Sequence, residues 1–142
     1  MKNLIITTGI LLLMITGIIY DLDCQNLITA ERRLKWACEE AAYGAAVSLW
    51  RKEETREEAE KTVRRILRRN LGLNEKMEPE ENAEFLGPVI FEMDMDEGRV
   101  YIRADCGEAR LRLSFLKGYV RVQRQDHFDF SERFFGKRNE TS

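Results

Sequence analysis

The chain has 142 residues, of which 34% are charged and 44% apolar, and a formal net charge of −2. That size and balance fit one domain, mostly globular, and exclude a partner such as nucleic acid that is held by an excess of positive charge. With two prolines, no Ser/Gly tract and no internal repeat, nothing marks a long flexible linker.

The first element departs from this average. Residues 4–20, LIITTGILLLMITGIIY, carry no charge. This run sits at the short end of what spans a hydrocarbon core about 30 Å thick, and Asn3 with the stem of Lys2 extends it by snorkelling. A cleaved signal peptide has a shorter apolar core and a small-residue cleavage motif. YDLDCQN offers no such motif, and Asp23 stands where a lipoprotein site at Cys24 needs a small residue. The reading is an uncleaved signal anchor over 1–20. The positive-inside rule decides little, because Lys2 before the span is opposed by Arg32, Arg33 and Lys35 after it. Short-headed N-terminal anchors usually leave their bulk outside, so residues 21–142 are expected to form an extracytoplasmic domain of a single-pass cell-membrane protein.

Beyond the span the periodicity becomes helical. Leu27, Ala30, Leu34, Ala37, Cys38, Ala41, Ala45, Ser48 and Leu49 follow at steps of three and four, with Arg32, Arg33, Lys35, Glu39 and Glu40 on the other side. Helix is expected over about 21–50, continuous with the span as a single rod from Asn3 to Trp50, roughly 70 Å long at 1.5 Å per residue. The stripe is mostly alanine, which permits close approach while burying little area per residue. Its commoner use is to seat the chain's own second helix and sheet. Its other use is lateral packing against another subunit, for which Gly9, Gly17, Leu34, Cys38, Ala41 and Ala45 form the candidate face.

Thr55 and Glu58 make a capping box that opens a second helix over about 55–71. Ala59, Val63, Ile66, Leu67 and Leu71 form its apolar face, and Gly72 follows as its natural stop. Acids crowd its first turns and arginines its last, so RRILRR reads as macrodipole matching on a solvated face more readily than as a patch for nucleic acid or lipid. The polar stretch 74–84 reads as a connecting loop, and its carboxylates lack the ordered spacing of a calcium loop.

From Val89 the period becomes two. Four alternating runs begin near Val89, Val100, Ala109 and Val120, separated by DEG, DCGE and KG. They predict a four-stranded antiparallel meander over about 88–125, its wet face pairing acids of the first strand with arginines of the second and third. A tail over 126–142 holds Phe128, Phe130, Phe134 and Phe135; the first two suit a fifth strand and the last two a docking contact. His127, the single histidine, reads as a surface residue. Asn139 lies in a glycosylation sequon. The fold class is therefore α+β: a long transmembrane and amphipathic helix, a second helix and a β-meander.

Of three cysteines, Cys24 and Cys38 lie about 21 Å apart along one helix and cannot bridge. A Cys38–Cys106 disulfide and two buried free thiols both remain open. No C-x-x-C pair, nucleophile–base pair, metal-ligand cluster or phosphate-binding glycine loop occurs, so neither catalysis, cofactor nor metal is expected.

The segment LIITTGILLLMITGIIYDLDCQNLITAERRLKWACEEAAYGAA, followed by VRRILRRNLGLN ahead of alternating strands, resembles the TadE/TadG-like proteins of tight-adherence (Flp) pilus systems. The likeness covers the first half of the chain. It implies a pilin-like architecture and a minor pilin or pseudopilin that helps assemble a surface filament or secretion apparatus, with machinery subunits or copies of itself as partners. The start MKNLIITTG departs from that pattern in lacking a basic leader and a glutamate before Asp21, which points to a component that stays anchored. The competing expectation is a membrane-tethered sensor or binding module that engages a protein partner through the sheet or the Phe-rich tail.

Overall fold

The computed structural model describes residues 1–51, 53–96, 99–113 and 121–129. One helix, α1 (Lys2–Arg51), runs without interruption through the apolar segment and the alanine stripe. The second helix, α2 (Arg56–Leu71), starts at Thr55, where both halves of the capping box are present. It stops at Gly72, whose φ of 64° is the left-handed value a residue with a side chain rarely adopts. Between the helices, buried Ser48 hydrogen-bonds the Glu54 carboxylate, and the Glu54 N–H returns to the Ser48 carbonyl at 3.1 Å.

Among the described residues the sheet has three strands in the order β1 (Ile90–Asp96), β2 (Arg99–Glu108) and β3 (Arg121–Asp129), all antiparallel. Its inner face carries Met93 of β1, Val100, Ile102, Ala104 and Cys106 of β2, and Val122 of β3. On the outer face Glu92 lies opposite Arg103, Asp96 opposite Arg99, and Tyr101 between Asp94 and His127. The upper half of α1 packs against α2, β2 and β3 together. That three-sided contact explains the alanines: Ala37, Ala41, Ala42, Ala45 and Ala46 are all fully buried. Larger side chains over so wide an arc would hold α2 and the sheet away from the rod. Gly44 marks the tightest approach to α2, where the Cδ1 of Ile66 occupies the place a Cβ would take.

The meander differs from expectation in strand number. DCGE does not turn the chain: β2 runs through it, and Gly107, at φ 72°, forms a bulge that shifts the register between Asp105 and Glu108. Residues 109–113, expected as the third strand, join no sheet; Ala109 forms an isolated bridge to Phe85, and Ala109 and Leu111 are buried. Their alternation of apolar and arginine residues arises from lying between core and solvent, a pattern that needs no strand partner. The third strand of the sheet is instead the expected fourth, and it continues through His127 and Phe128 into what reads as tail. Asn74 organises the polar loop, its Oδ1 accepting the N–H groups of Lys76 and Glu78 at 2.8 and 3.0 Å. The KG turn, Ser114, Phe115, Phe130, Phe134, Phe135 and Asn139 lie outside the described residues.

Because Ala41 and Ala45 are enclosed by this chain's own head, Ala41→Leu and Ala45→Leu each lower the unfolding free energy by about 1–3 kcal/mol through overpacking. Denaturant titration followed by circular dichroism measures this; unchanged midpoints would place both residues at a looser surface.

Candidate functional site

Two parts of α1 carry features that core packing alone does not explain: its bare apolar half, and the turn where that half meets the head. Along the first, every large apolar side chain from Leu4 to Ile18 is exposed, Leu13 by 75%. The helix is long and apolar enough to cross a membrane, and no part of its apolar window is covered by the rest of the chain. Water disfavours so extended an apolar surface. The polar side chains in it are satisfied locally. The hydroxyls of Thr7, Thr8 and Thr16 donate to the carbonyls of Asn3, Leu4 and Leu12 at 2.8, 2.8 and 2.9 Å, which leaves those donors paired within the helix, as hydrocarbon requires.

The junction is built on Asp23. It lies on the same helical row as Leu27, Ala30 and Leu34 and is only 3% exposed. Both carboxylate oxygens accept the N–H of Arg112, at 2.9 and 3.0 Å, and one also accepts the N–H of Leu113 at 2.9 Å. One turn higher, the Asn26 side-chain amide donates to the carbonyls of Arg110 at 2.6 Å and Glu84 at 3.4 Å. Residues 84–86 and 108–110 are paired there, Leu86 N–H to Glu108 and Arg110 N–H to Glu84. Asp23 thus serves the N–H groups of Arg112 and Leu113 just beyond that pairing, and Asn26 the Arg110 carbonyl at its end together with the Glu84 carbonyl within it. Arg33 adds an ion pair to Glu84 at 3.2 Å. Higher on the rod, Glu40 binds Arg69 and Asn70 of α2.

The candidate packing face divides. Leu34, Cys38, Ala41 and Ala45 are buried within the head. Gly9 and Gly17 stand on the bare half, with nothing within 4 Å of where a Cβ would sit. Cys38 and Cys106 are free thiols, both fully buried. Burial pushes each thiol up to about 12, with the nearby Asp126 carboxylate adding to the shift at Cys38 and the neighbouring Cys38 thiol adding to it at Cys106. Cys24, at the junction, is half-buried and also free. Among the described residues no group of three or more His, Cys, Asp or Glu is placed to hold a metal. His127 sits on the outer face of the sheet, its ring 5.6 Å from that of Tyr101.

Asp23 and Asn26 were not among the expected site residues. Their signal was present in the sequence: two polar residues, three apart, on the row that becomes the buried stripe. No family model, curated protein or solved structure matches this chain.

Asp23→Ala leaves two backbone N–H groups without their acceptor and lowers stability by about 1–3 kcal/mol. Hydrogen exchange should show lost protection at the Arg112 and Leu113 amides while α2 is unchanged; retained protection would mean that the carboxylate is dispensable. In the folded protein, maleimide should label Cys24 and spare Cys38 and Cys106. The latter two are held protonated by the fold, so their contribution is complete below the unfolded thiol value of 9.0 and is lost as pH rises toward about 12. Melting temperature therefore falls across that window in the parent and less steeply in Cys38→Ala; parallel pH profiles would contradict this.

Proposed function

We propose that the chain is a single-pass, membrane-anchored, extracytoplasmic subunit of pilin-like kind, acting by assembly in a surface filament or secretion apparatus and not by catalysis. The observation that carries this reading is the joining of two unlike halves in one unbroken helix. The lower half is bare, apolar and internally hydrogen-bonded; the upper half is the spine of a small α+β head. Lipid supplies the cover that the lower half lacks. Retention of the anchor, in preference to cleavage as a signal sequence, is favoured because α1 continues directly from the apolar run into the clamp at Asp23.

The alanine stripe is consumed inside the head, so contact between subunits falls to the bare half, where Gly9 and Gly17 admit a second helix without disturbing any contact of their own. Machinery subunits or further copies of the chain are the partners this suits.

Two measurements test the reading. The full-length protein should stay with membranes through alkaline carbonate extraction, with its N-terminal residues intact by mass spectrometry. A photo-reactive residue at Leu13 should give protein adducts that are lost in the Gly9→Leu/Gly17→Leu variant, with head stability unchanged. Recovery in the soluble fraction would rule out the anchor. Adducts indifferent to both glycines would rule out assembly through this face and leave the membrane-tethered binding module as the reading.

A further inference from the structure

We infer that a cleft at the base of the head receives the phosphate of a lipid headgroup through Arg110 and Arg112, an inference that rests on the membrane-anchor reading above. The cleft, about 370 Å³, is bounded by Leu22, Asp23, Gln25, Asn26 and Thr29 of α1 and by Glu84, Arg110 and Arg112.

Its height on the rod is fixed by hydrogen bonds. The Arg110 carbonyl is held by Asn26 and the Arg112 N–H by Asp23. The chain therefore descends one helical turn toward the apolar run as it passes from 110 to 112. Asp23 is three residues above Tyr20, about 4.5 Å along the axis. The uncharged run 4–20 is about 26 Å long at 1.5 Å per residue, short of a core of about 30 Å. A short span is accommodated by local thinning of the bilayer, which brings the headgroups to the turn that follows the span. That turn is where the cleft opens.

The formal charges around the cleft balance, Arg33, Arg110 and Arg112 against Asp21, Asp23 and Glu84, but the acids that line it are engaged while its two guanidiniums are not. The Asp23 carboxylate is occupied by two backbone N–H groups and Glu84 by Arg33. Among the described residues, the exposed guanidiniums of Arg110 and Arg112 have no ion-pair partner. Asp21, two residues below Asp23 on α1, is exposed and accepts a hydrogen bond from Gln25 at 2.9 Å. Two guanidiniums without an ion-pair partner thus border the cleft beside carboxylates that are already engaged. Guanidinium binds phosphate oxygens in a forked geometry, and basic residues beside an anionic bilayer surface are drawn to it. Free phosphate shares this chemistry, but the position beside the span commits the site to lipid.

The test uses the full chain in nanodiscs containing a gadolinium-chelated headgroup lipid, with either phosphatidylcholine alone or a mixture with phosphatidylglycerol. The amide signals of residues 109–113 should broaden more strongly in the anionic discs. The excess should be lost in Arg110→Gln/Arg112→Gln and only partly kept in Arg110→Lys/Arg112→Lys, which retain the charge without the fork. All variants keep the Asp23 clamp, because it binds backbone; unshifted Arg112 and Leu113 amides verify this. Equal broadening in both lipids, or in parent and glutamine variant, overturns the inference and leaves the anchor standing. Equal movement of the same amides by inorganic phosphate alone overturns the lipid assignment. Failure of the protein to float with vesicles overturns the anchor, and this inference with it.

Discussion

The buried carboxylate of Asp23 is the constraint on which the base of the head depends. Residues 109–113 leave the end of β2 paired only at the short bridge to residues 84–86, and beyond it the N–H groups of Arg112 and Leu113 have no strand partner. A carboxylate on α1 meets both of those donors at once, and Asn26 meets the carbonyls one turn above. Two side chains of a helix thereby take the place of a missing strand. The arrangement exchanges two costly items for one inexpensive contact, since an isolated buried carboxylate and unpaired buried amides are each unfavourable alone. It also sets where on the rod the head begins.

Above that point, packing is governed by side-chain size. A helix that touches a neighbour on one side can carry leucines on that side. The upper half of α1 touches α2 and two strands, and its buried arc is correspondingly wide. Alanine fills it because thickness, more than apolar area, is what the geometry limits. The larger residues of the core lie on the partners: Val63, Leu67 and Leu71 of α2, Val100 and Ile102 of β2, and Phe85 of the loop. Substituting the alanines would therefore disturb the fold before it could disturb any assembly, while Gly9 and Gly17 remain open to partners.

What was legible in the sequence is what local chemistry dictates. The extent of α1, the capping box at Thr55, the stop at Gly72 and the first two strands all follow from spacing and end signals within a few residues. The failures share one cause, a pattern with two physical origins. Alternation over 109–113 looks like a strand, yet it arises from a segment seated on a helix. A glycine within an alternating run looks like a turn, yet Gly107 is a bulge that lets β2 continue. Both are decided by contacts made far along the chain, with Phe85 and Gly87 on one side and Asp23 on the other. The bare half of α1 was legible because a run without charge has few uses; the cleft at Arg110 and Arg112 was not, because it exists only once the chain is brought down against Asp23.

The unbroken course of α1 has a mechanical consequence. No proline or break separates the greasy end from the spine of the head, so the two behave as one lever with its fulcrum near Leu22. The arm from Leu22 to Arg51 is about 44 Å at 1.5 Å per residue. A lean of about 20°, ordinary for a helix in a bilayer, swings its far end sideways by about 15 Å. Whatever holds the bare half therefore also decides where the tip of this molecule points.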